Sequence, residues 1–333
     1  MAKKKVLRFL LFLIPGIALV GYIFRDTDLK FLQQEIRNIH WSWIILSISI
    51  NIGSQLFRAM RWKLLFREID YNPRLKSVFL SYLILIFTNQ IIPRSGEVVR
   101  LGIISNYEKI PLAKVLGTAL AERITDLLMM MLIFIFLLST QYNFIRELLE
   151  LPNVELPEIS IIQISLIAGG IILVILISYF ILKLTGVIKK ILSKVGNFLA
   201  QTKQGLKTVI TLKRKTNYIL LTFLVFFSWF IMQYILFFAY SPTQNLSVTT
   251  AFIVFILAAF AFLLPVQAGI GAWHFVVIVC LLFFEISRPA GEAFSLIAHA
   301  CITLIFYLLG GLAVTLLPLL NKKSSYLTEK VVT

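Results

Sequence analysis

Apolar runs separated by short charged stretches organise this chain along most of its length. Six of them read as membrane spans: Val6 to Phe24, Trp43 to Phe57, Leu112 to Leu138, Ile161 to Leu182, Tyr218 to Tyr240 and Ala293 to Leu317. A spanning helix needs roughly 20 predominantly apolar residues, and the pattern is continuous enough in these segments to predict helix. Two further runs are interrupted. Ser77 to Ile92 extends only about 24 Å at 1.5 Å per residue, short of a core about 30 Å thick. It stops at Pro93 and gives way to Arg94-Ser-Gly-Glu-Val-Val-Arg100, which is too polar to cross lipid alone. Val248 to Leu264 is likewise cut, by Pro265-Val-Gln-Ala-Gly-Ile-Gly271, before Ala272 to Phe284 resumes.

Charge sets the expected sides, because Lys and Arg concentrate in cytoplasmic loops. Lys3, Lys4, Lys5 and Arg8 place the N-terminus inside, and Lys322 and Lys323 place the C-terminus inside. Arg58, Arg61, Lys63, Arg67, Arg74 and Lys76 follow the second span and mark a cytoplasmic loop. The stretch Lys183 to Asn217 (183–217) holds nine Lys or Arg and no acid, so it is a cytoplasmic basic loop. Gln141 to Ser160, with Glu147, Glu150, Glu155 and Glu158 against Arg146, is external. Parity then requires Ser77 to Asn106 to enter and leave on one side, as a re-entrant hairpin. Irregular backbone at that depth is tolerated where protein or a cavity shields it. For 248–284, a hairpin and two crossings satisfy parity equally. The two halves, 1–140 and 159–320, therefore read as an inverted repeat, each with a broken segment. Breaks at corresponding positions of inverted repeats usually point to a transporter's substrate site.

Composition removes the main alternative. The chain is 59% hydrophobic and 14% charged, with a mean hydropathy of +0.89. Soluble domains run about 45–50% apolar and about 25% charged. No stretch is left for a separate soluble domain, so 1–333 reads as one integral inner-membrane domain. Its fold class is all-α, a polytopic membrane helical bundle of six full spans plus two Pro/Gly-broken re-entrant-type segments. The net charge of +16 suits an anionic leaflet, and no folded basic module is present to take nucleic acid. Cys280 and Cys301 lie in apolar helical context and read as packing residues. No metal-ligand spacing, nucleotide loop or Ser/His/Asp arrangement occurs, so neither metal nor cofactor is expected.

Candidate chemistry gathers at the breaks. Glu97 and Arg100 are three apart and share a helix face if the segment after Gly96 is helical, with Arg94 beside them. Glu122, Arg123 and Asp126 form a second charged group at the start of a span. Charges at membrane depth are rare and tend to mark substrate or ion pathways, and a guanidinium holds phosphate bidentately. The competing reading is a shallow hairpin and an interfacial ion network, both wetted by water. Asn89 and Thr88 would offer neutral contacts near the first tip. At the second, Gln267, Gly269, Gly271 and His274 combine a flexible backbone with groups able to bind a headgroup; a packed, hydrogen-bonded His274 is the alternative. His299 and the pairs Gly169-Gly170 and Gly310-Gly311 read as structural.

Asn89-Gln-Ile-Ile-Pro93-Arg94-Ser-Gly96-Glu97-Val-Val-Arg100, followed by Glu122-Arg123-Ile-Thr-Asp126, resembles the transmembrane domain family of lysylphosphatidylglycerol synthases. Pro265-Val-Gln-Ala-Gly269-Ile-Gly271-Ala-Trp-His274 is similar to that family's second signature. The resemblance covers almost the whole chain in segment order and implies flippase-like movement of a phospholipid or polyprenyl-linked glycan between leaflets. On that reading Arg94, Arg100, Arg123, Asn89, Gln267 and His274 contact an anionic headgroup, while Glu97, Glu122 and Asp126 balance charge or gate. The family's soluble aminoacyl-transferase domain is not expected here, which argues against lysyl transfer. Where the family often has a Glu after the glycine pair, this chain has Trp273-His274. Two other readings stay open: an integral-membrane enzyme acting on a lipid headgroup through Glu97, Glu122, Asp126 or His274, and a membrane partner of a separate transferase docked on the basic loop.

Overall fold

The structure is a computed structural model and describes residues 20–21, 24–25, 29–92, 94–142, 144, 146, 202–203, 207–262 and 266–329; at 29, 31, 267 and 322–329 it describes the backbone alone. Among the described residues all regular structure is helical: α1 (Leu29–Arg37), α2 (Trp41–Arg67), α3 (Leu75–Ile91), α4 (Gly96–Tyr107), α5 (Leu112–Thr140), α6 (Lys215–Phe237), α7 (Val248–Ala261), α8 (Ala272–Phe283) and α9 (Arg288–Glu329). Short 3-10 turns cover Ser241–Thr243 and Gln267–Gly269. The chain is an all-α membrane helical bundle. The segments Val6 to Phe24 and Ile161 to Leu182, the acidic loop, most of 183–217, Gly169-Gly170, Pro93 and Pro265 fall wholly or largely outside the described residues.

Among the described residues three helices are long and apolar enough to cross a bilayer: α5, α6 and α9 over Arg288–Asn321. α5 shows why such a sequence is stable there. Its outer face is exposed Leu120, Ile124, Leu127, Leu128, Met131, Leu132 and Ile135, which lipid covers without cost. Its inner face buries Ala113, Gly117, Thr118, Ala121, Glu122 and Asp126, small residues that admit close neighbours and two carboxylates that need partners.

The second span corrects one expectation. It does not end at Phe57. α2 continues as one helix to Arg67, and Arg58 and Arg61, expected as loop cations, are buried inside the bundle. The physical reason is a polar stripe. Asn51, Ser54, Gln55, Arg58 and Arg61 recur at three- and four-residue spacing and are all buried, so one face of α2 is polar along its inner length. α6 runs antiparallel against that stripe. Ser47 Oγ donates to the Met232 carbonyl at 2.9 Å, Trp229 Nε1 to Ser54 Oγ at 3.1 Å, and Arg61 lies 3.5 Å from Thr222 Oγ1.

α3 and α4 fold back on each other as a hairpin. Arg74, just before α3, and Glu108, just after α4, form a 3.0 Å ion pair, so the segment returns to the side it left. Gly96 opens α4 in contact with the Leu85 carbonyl and Asn89; a side chain there would strike backbone. The Asn89 Oδ1 accepts the Gly96 N–H at 2.7 Å, and Arg94 takes a left-handed φ of 60° at the bend.

α7 and α8, at 14 and 12 residues, reach about 21 and 18 Å and cannot each cross a core of about 30 Å. They also form a hairpin. Ile253 and Phe252 near the start of α7 share one apolar cluster with Phe284 after α8, together with Leu137 and Phe144. The start of α7 therefore lies beside the end of α8, and each helix is shorter than a full crossing requires. The turn between them carries left-handed Ala268, Gly269 and Gly271, at φ 52°, 73° and 82°.

α9 seats both tips. It packs along α3, where Gly310 lies against Phe87 and the Leu83 carbonyl. Tyr307 OH donates to the Gln90 carbonyl at 3.0 Å. About two turns earlier His299 Nε2 meets the Ala268 carbonyl at 2.9 Å. The Gln267–Gly269 turn also touches α3, so the hairpin tips meet against the middle of α9.

Candidate functional site: a buried arginine–carboxylate network

Glu122 is the centre of the site. It lies about 15 Å from the start of α5, is fully buried, and accepts from three elements. Arg61 NH2 of α2 reaches Oε1 at 3.1 Å, Arg100 NH1 of α4 reaches Oε2 at 2.9 Å, and Tyr82 OH of α3 donates to Oε1 at 2.5 Å. Arg61 NH2 also binds Asp126 Oδ1 at 2.6 Å, one helical turn further along α5. Arg100 NH2 binds Glu97 Oε2 at 2.7 Å, as their three-residue spacing predicts. Arg123 closes the ring from the outer edge, at 3.4 Å from Glu97, 3.6 Å from Glu122 and 3.4 Å from Asp126.

Aromatic rings wall the cations. The Arg100 guanidinium stands 4.1 Å from the Trp62 ring centroid and 4.5 Å from that of Tyr82, distances at which the ring quadrupole attracts a cation. Arg58 stands 4.4 Å from the Tyr82 centroid on α3 and 5.6 Å from that of Trp229 on α6. Trp62 is itself fixed by its Nε1–H to Thr118 Oγ1 at 3.1 Å. The network is open at one margin. The side chains of Glu97 and Arg123 are 35% and 42% exposed, while those of Arg61, Arg100 and Glu122 are at 0%.

The structure brings Glu97, Arg100, Glu122, Arg123 and Asp126 of the two predicted groups into one network. Asn89 is placed elsewhere: it closes the first tip through Gly96, about 10 Å along α3 from Tyr82. Arg94 is exposed at that bend. The second-break residues form their own arrangement. His274 is buried, its Nδ1 accepts the Gly271 N–H at 3.2 Å, and its ring lies 4.6 Å from that of His299. It bonds within its own hairpin and not to the charge network. Gly269 packs on Phe262, and Gln267 contributes backbone to the turn.

Sequence reasoning missed Arg58, Arg61, Tyr82, Trp62 and Trp229. The signal for the arginines was present: they continue the three-to-four spacing of Asn51, Ser54 and Gln55. Tyr82 gives no such signal, because one hydroxyl in an apolar run is common. Among the described residues no group of three or more His, Cys, Asp or Glu could hold a metal ion.

The profile described as the lysylphosphatidylglycerol synthase TM region matches residues 6–311, and the chain belongs to that family of membrane proteins. A UPF0104 membrane protein of Methanocaldococcus jannaschii is 27% identical over 126 residues, a match covering 37% of this chain and 36% of that relative. The chain is thus aligned with little more than a third of the curated relative's length. No solved structure matches.

Proposed function

We propose that this protein moves a lipid with an anionic headgroup, a phospholipid or a polyprenyl-linked glycan, between the leaflets of the inner membrane. The observation that carries the reading is the Arg61–Glu122–Arg100 core, with Glu97 and Arg123 at its accessible margin. A fold alone does not require it, since apolar packing would serve stability as well or better. Ionisable groups at membrane depth that face the bundle interior are the ordinary mark of a polar pathway. Arg94 and Arg123 meet the headgroup at the margin. Arg100, Glu122 and Asp126 hold the frame, and Glu97 trades between Arg100 and Arg123 as the headgroup passes. The two hairpins, in halves of opposite orientation with both termini cytoplasmic, rock against each other to alternate access.

The test is translocation of a fluorescent phosphatidylglycerol in vesicles reconstituted with the purified protein. Wild type should exceed protein-free vesicles, and Arg123→Gln should slow movement about tenfold, the equivalent of one charge-assisted hydrogen bond of about 1.5 kcal/mol. A wild-type rate equal to that of empty vesicles, across several anionic lipids, would refute transport.

A further inference from the structure

Four arginines, Arg58, Arg61, Arg100 and Arg123, face three carboxylates, Glu97, Glu122 and Asp126, which leaves one positive charge in the interior. That charge resides on Arg58. Arg61, Arg100 and Arg123 each lie within 3.6 Å of at least two carboxylates. Arg58 is 6% exposed and pairs with no carboxylate among the described residues. Its hydrogen bond is to a neutral acceptor, from NH1 to Gln55 Oε1 at 3.1 Å. Its Nε is buried without an acceptor, and among the described residues its hydrogen bond runs from NH1 and not from NH2. Nε and NH2 form one edge of the guanidinium, the fork that accepts two oxygens of a carboxylate or phosphate in parallel.

The surroundings favour an added acceptor over an added donor. Arg61 Nε, Arg100 Nε, Arg123 Nε and NH2, and Gln233 Nε2 are also buried donors without acceptors, against Asp126 Oδ2 as the network's acceptor without a donor. Gln233 lies on α6 one turn from Trp229. The neighbouring polar groups of α2 are already satisfied by one another: Gln55 Nε2 donates to Asn51 Oδ1 at 3.2 Å and to Ser54 Oγ at 3.1 Å. A desolvated cation without a counter-charge is costly, and an anion with several acceptor oxygens removes that cost.

We infer that Arg58, between the Tyr82 and Trp229 rings, is the phosphate-binding residue of the site, taking two oxygens of a lipid phosphodiester on its free Nε–NH2 edge. This rests on the transport reading for the lipid, but the anion site itself stands on the geometry. Arg100 keeps its place in the frame, because its terminal nitrogens already hold Glu122 and Glu97, and the phosphate passes from the margin to the interior arginine. The carboxylate network then serves to hold α2, α4 and α5 around the headgroup.

The experiment uses the purified full chain in detergent and measures binding of dihexanoyl-phosphatidylglycerol below its micelle concentration, read by calorimetry, with inorganic phosphate in a parallel arm. Arg58→Gln should weaken binding by about tenfold or more, and Arg58→Lys, a point charge without the fork, by less. Gln55→Glu gives Arg58 an internal carboxylate at its existing hydrogen-bond partner. It should raise the unfolding midpoint and abolish binding, a combination that damage to the fold cannot produce. Competition by inorganic phosphate that is lost in both variants identifies the phosphate group itself as the ligand. Lipid binding that phosphate does not displace, lost in the same variants, assigns the site to the esterified headgroup. If Gln55→Glu binds the lipid within about threefold of wild type, Arg58 is not the phosphate site, whatever Arg58→Gln does. Binding that follows these expectations in a protein that moves no lipid in vesicles would remove the transport reading and leave the anion site in place.

Discussion

Both α3–α4 and α7–α8 fold back after a break, yet the groups that hold them differ in kind. The first hairpin is tied to α2 and α5 by charge: Arg100, Glu97 and Tyr82 reach Glu122 or its partners. The second contributes no Asp, Glu, Lys or Arg between Val248 and Phe283. It is held by an apolar cluster that includes Val254, Ala258, Trp273, Val277 and Phe294, by left-handed backbone at its tip, and by a histidine contact to α9. Ion pairs in low dielectric are specific in geometry and severe when one member is lost. Apolar packing is tolerant and additive in small steps. The first hairpin is therefore held in one arrangement by charge, and the second by packing and backbone geometry.

The sharpest way to break that contrast is at Glu122. Glu122→Gln keeps the shape but leaves Arg61 and Arg100 short of a buried carboxylate. Removing one member of a buried ion network costs about 3–5 kcal/mol. We expect a large fall in the detergent unfolding midpoint, greater than that of any single polar substitution in α7 or α8. A loss under about 1 kcal/mol would mean that the network is wet and that the first hairpin is held by packing like the second.

The glycines of the two tips give a smaller and more selective effect. A Cβ at Gly96 meets the Leu85 carbonyl, backbone that cannot yield, with Asn89 Oδ1 at 2.7 Å. At Gly269 it meets the edge of the Phe262 ring at 2.7 Å, and the φ is +73°. Overpacking against backbone costs about 1–3 kcal/mol, and a left-handed residue with a side chain about 1–2 kcal/mol. Gly96→Ala should therefore destabilise more than Gly269→Ala. Combining Gly269→Ala with Phe262→Leu should recover part of the second loss, because the ring can be shortened. Equal losses with no recovery would show that the second tip is as rigidly seated as the first.

Much of this arrangement was legible in the sequence, and the rest was hidden for definable reasons. α5, α6 and α9 follow from run length alone. The two breaks follow from the Pro/Gly positions, and the Glu97–Arg100 pair from its three-residue spacing. Charge rules misled at α2. Arg58 and Arg61 count as loop cations when read with Lys63 and Arg67, and only the polar stripe beginning at Asn51 places them inside. The partners of Glu122 come from α2, α3 and α4, and no local spacing joins residues 61, 82, 100 and 122. Asn89 shows what spacing leaves out: a polar residue beside a break reads as a ligand contact, and its oxygen also accepts the Gly96 amide.

The smallest effect expected is at His299, and it asks whether the tips move together. His299 Nε2 faces the Ala268 carbonyl, so that nitrogen carries the hydrogen and donates; Nδ1, 3.4 Å from Thr303 Oγ1, is left to accept. This donor ties the second tip to α9 outside its own turn. Removing it in His299→Ala strands one carbonyl, at a net cost of about 1 kcal/mol. If the tip opens locally, amide exchange at residues 266–272 should speed up about fivefold, while amides of α4 near Arg100 keep their rate. The difference follows from what holds each hairpin: α4 is anchored by charge to α5 and does not depend on His299. Faster exchange in both hairpins would instead mean that the contact of the Gln267–Gly269 turn with α3 couples them. The charged hairpin would then move with its apolar counterpart rather than frame it.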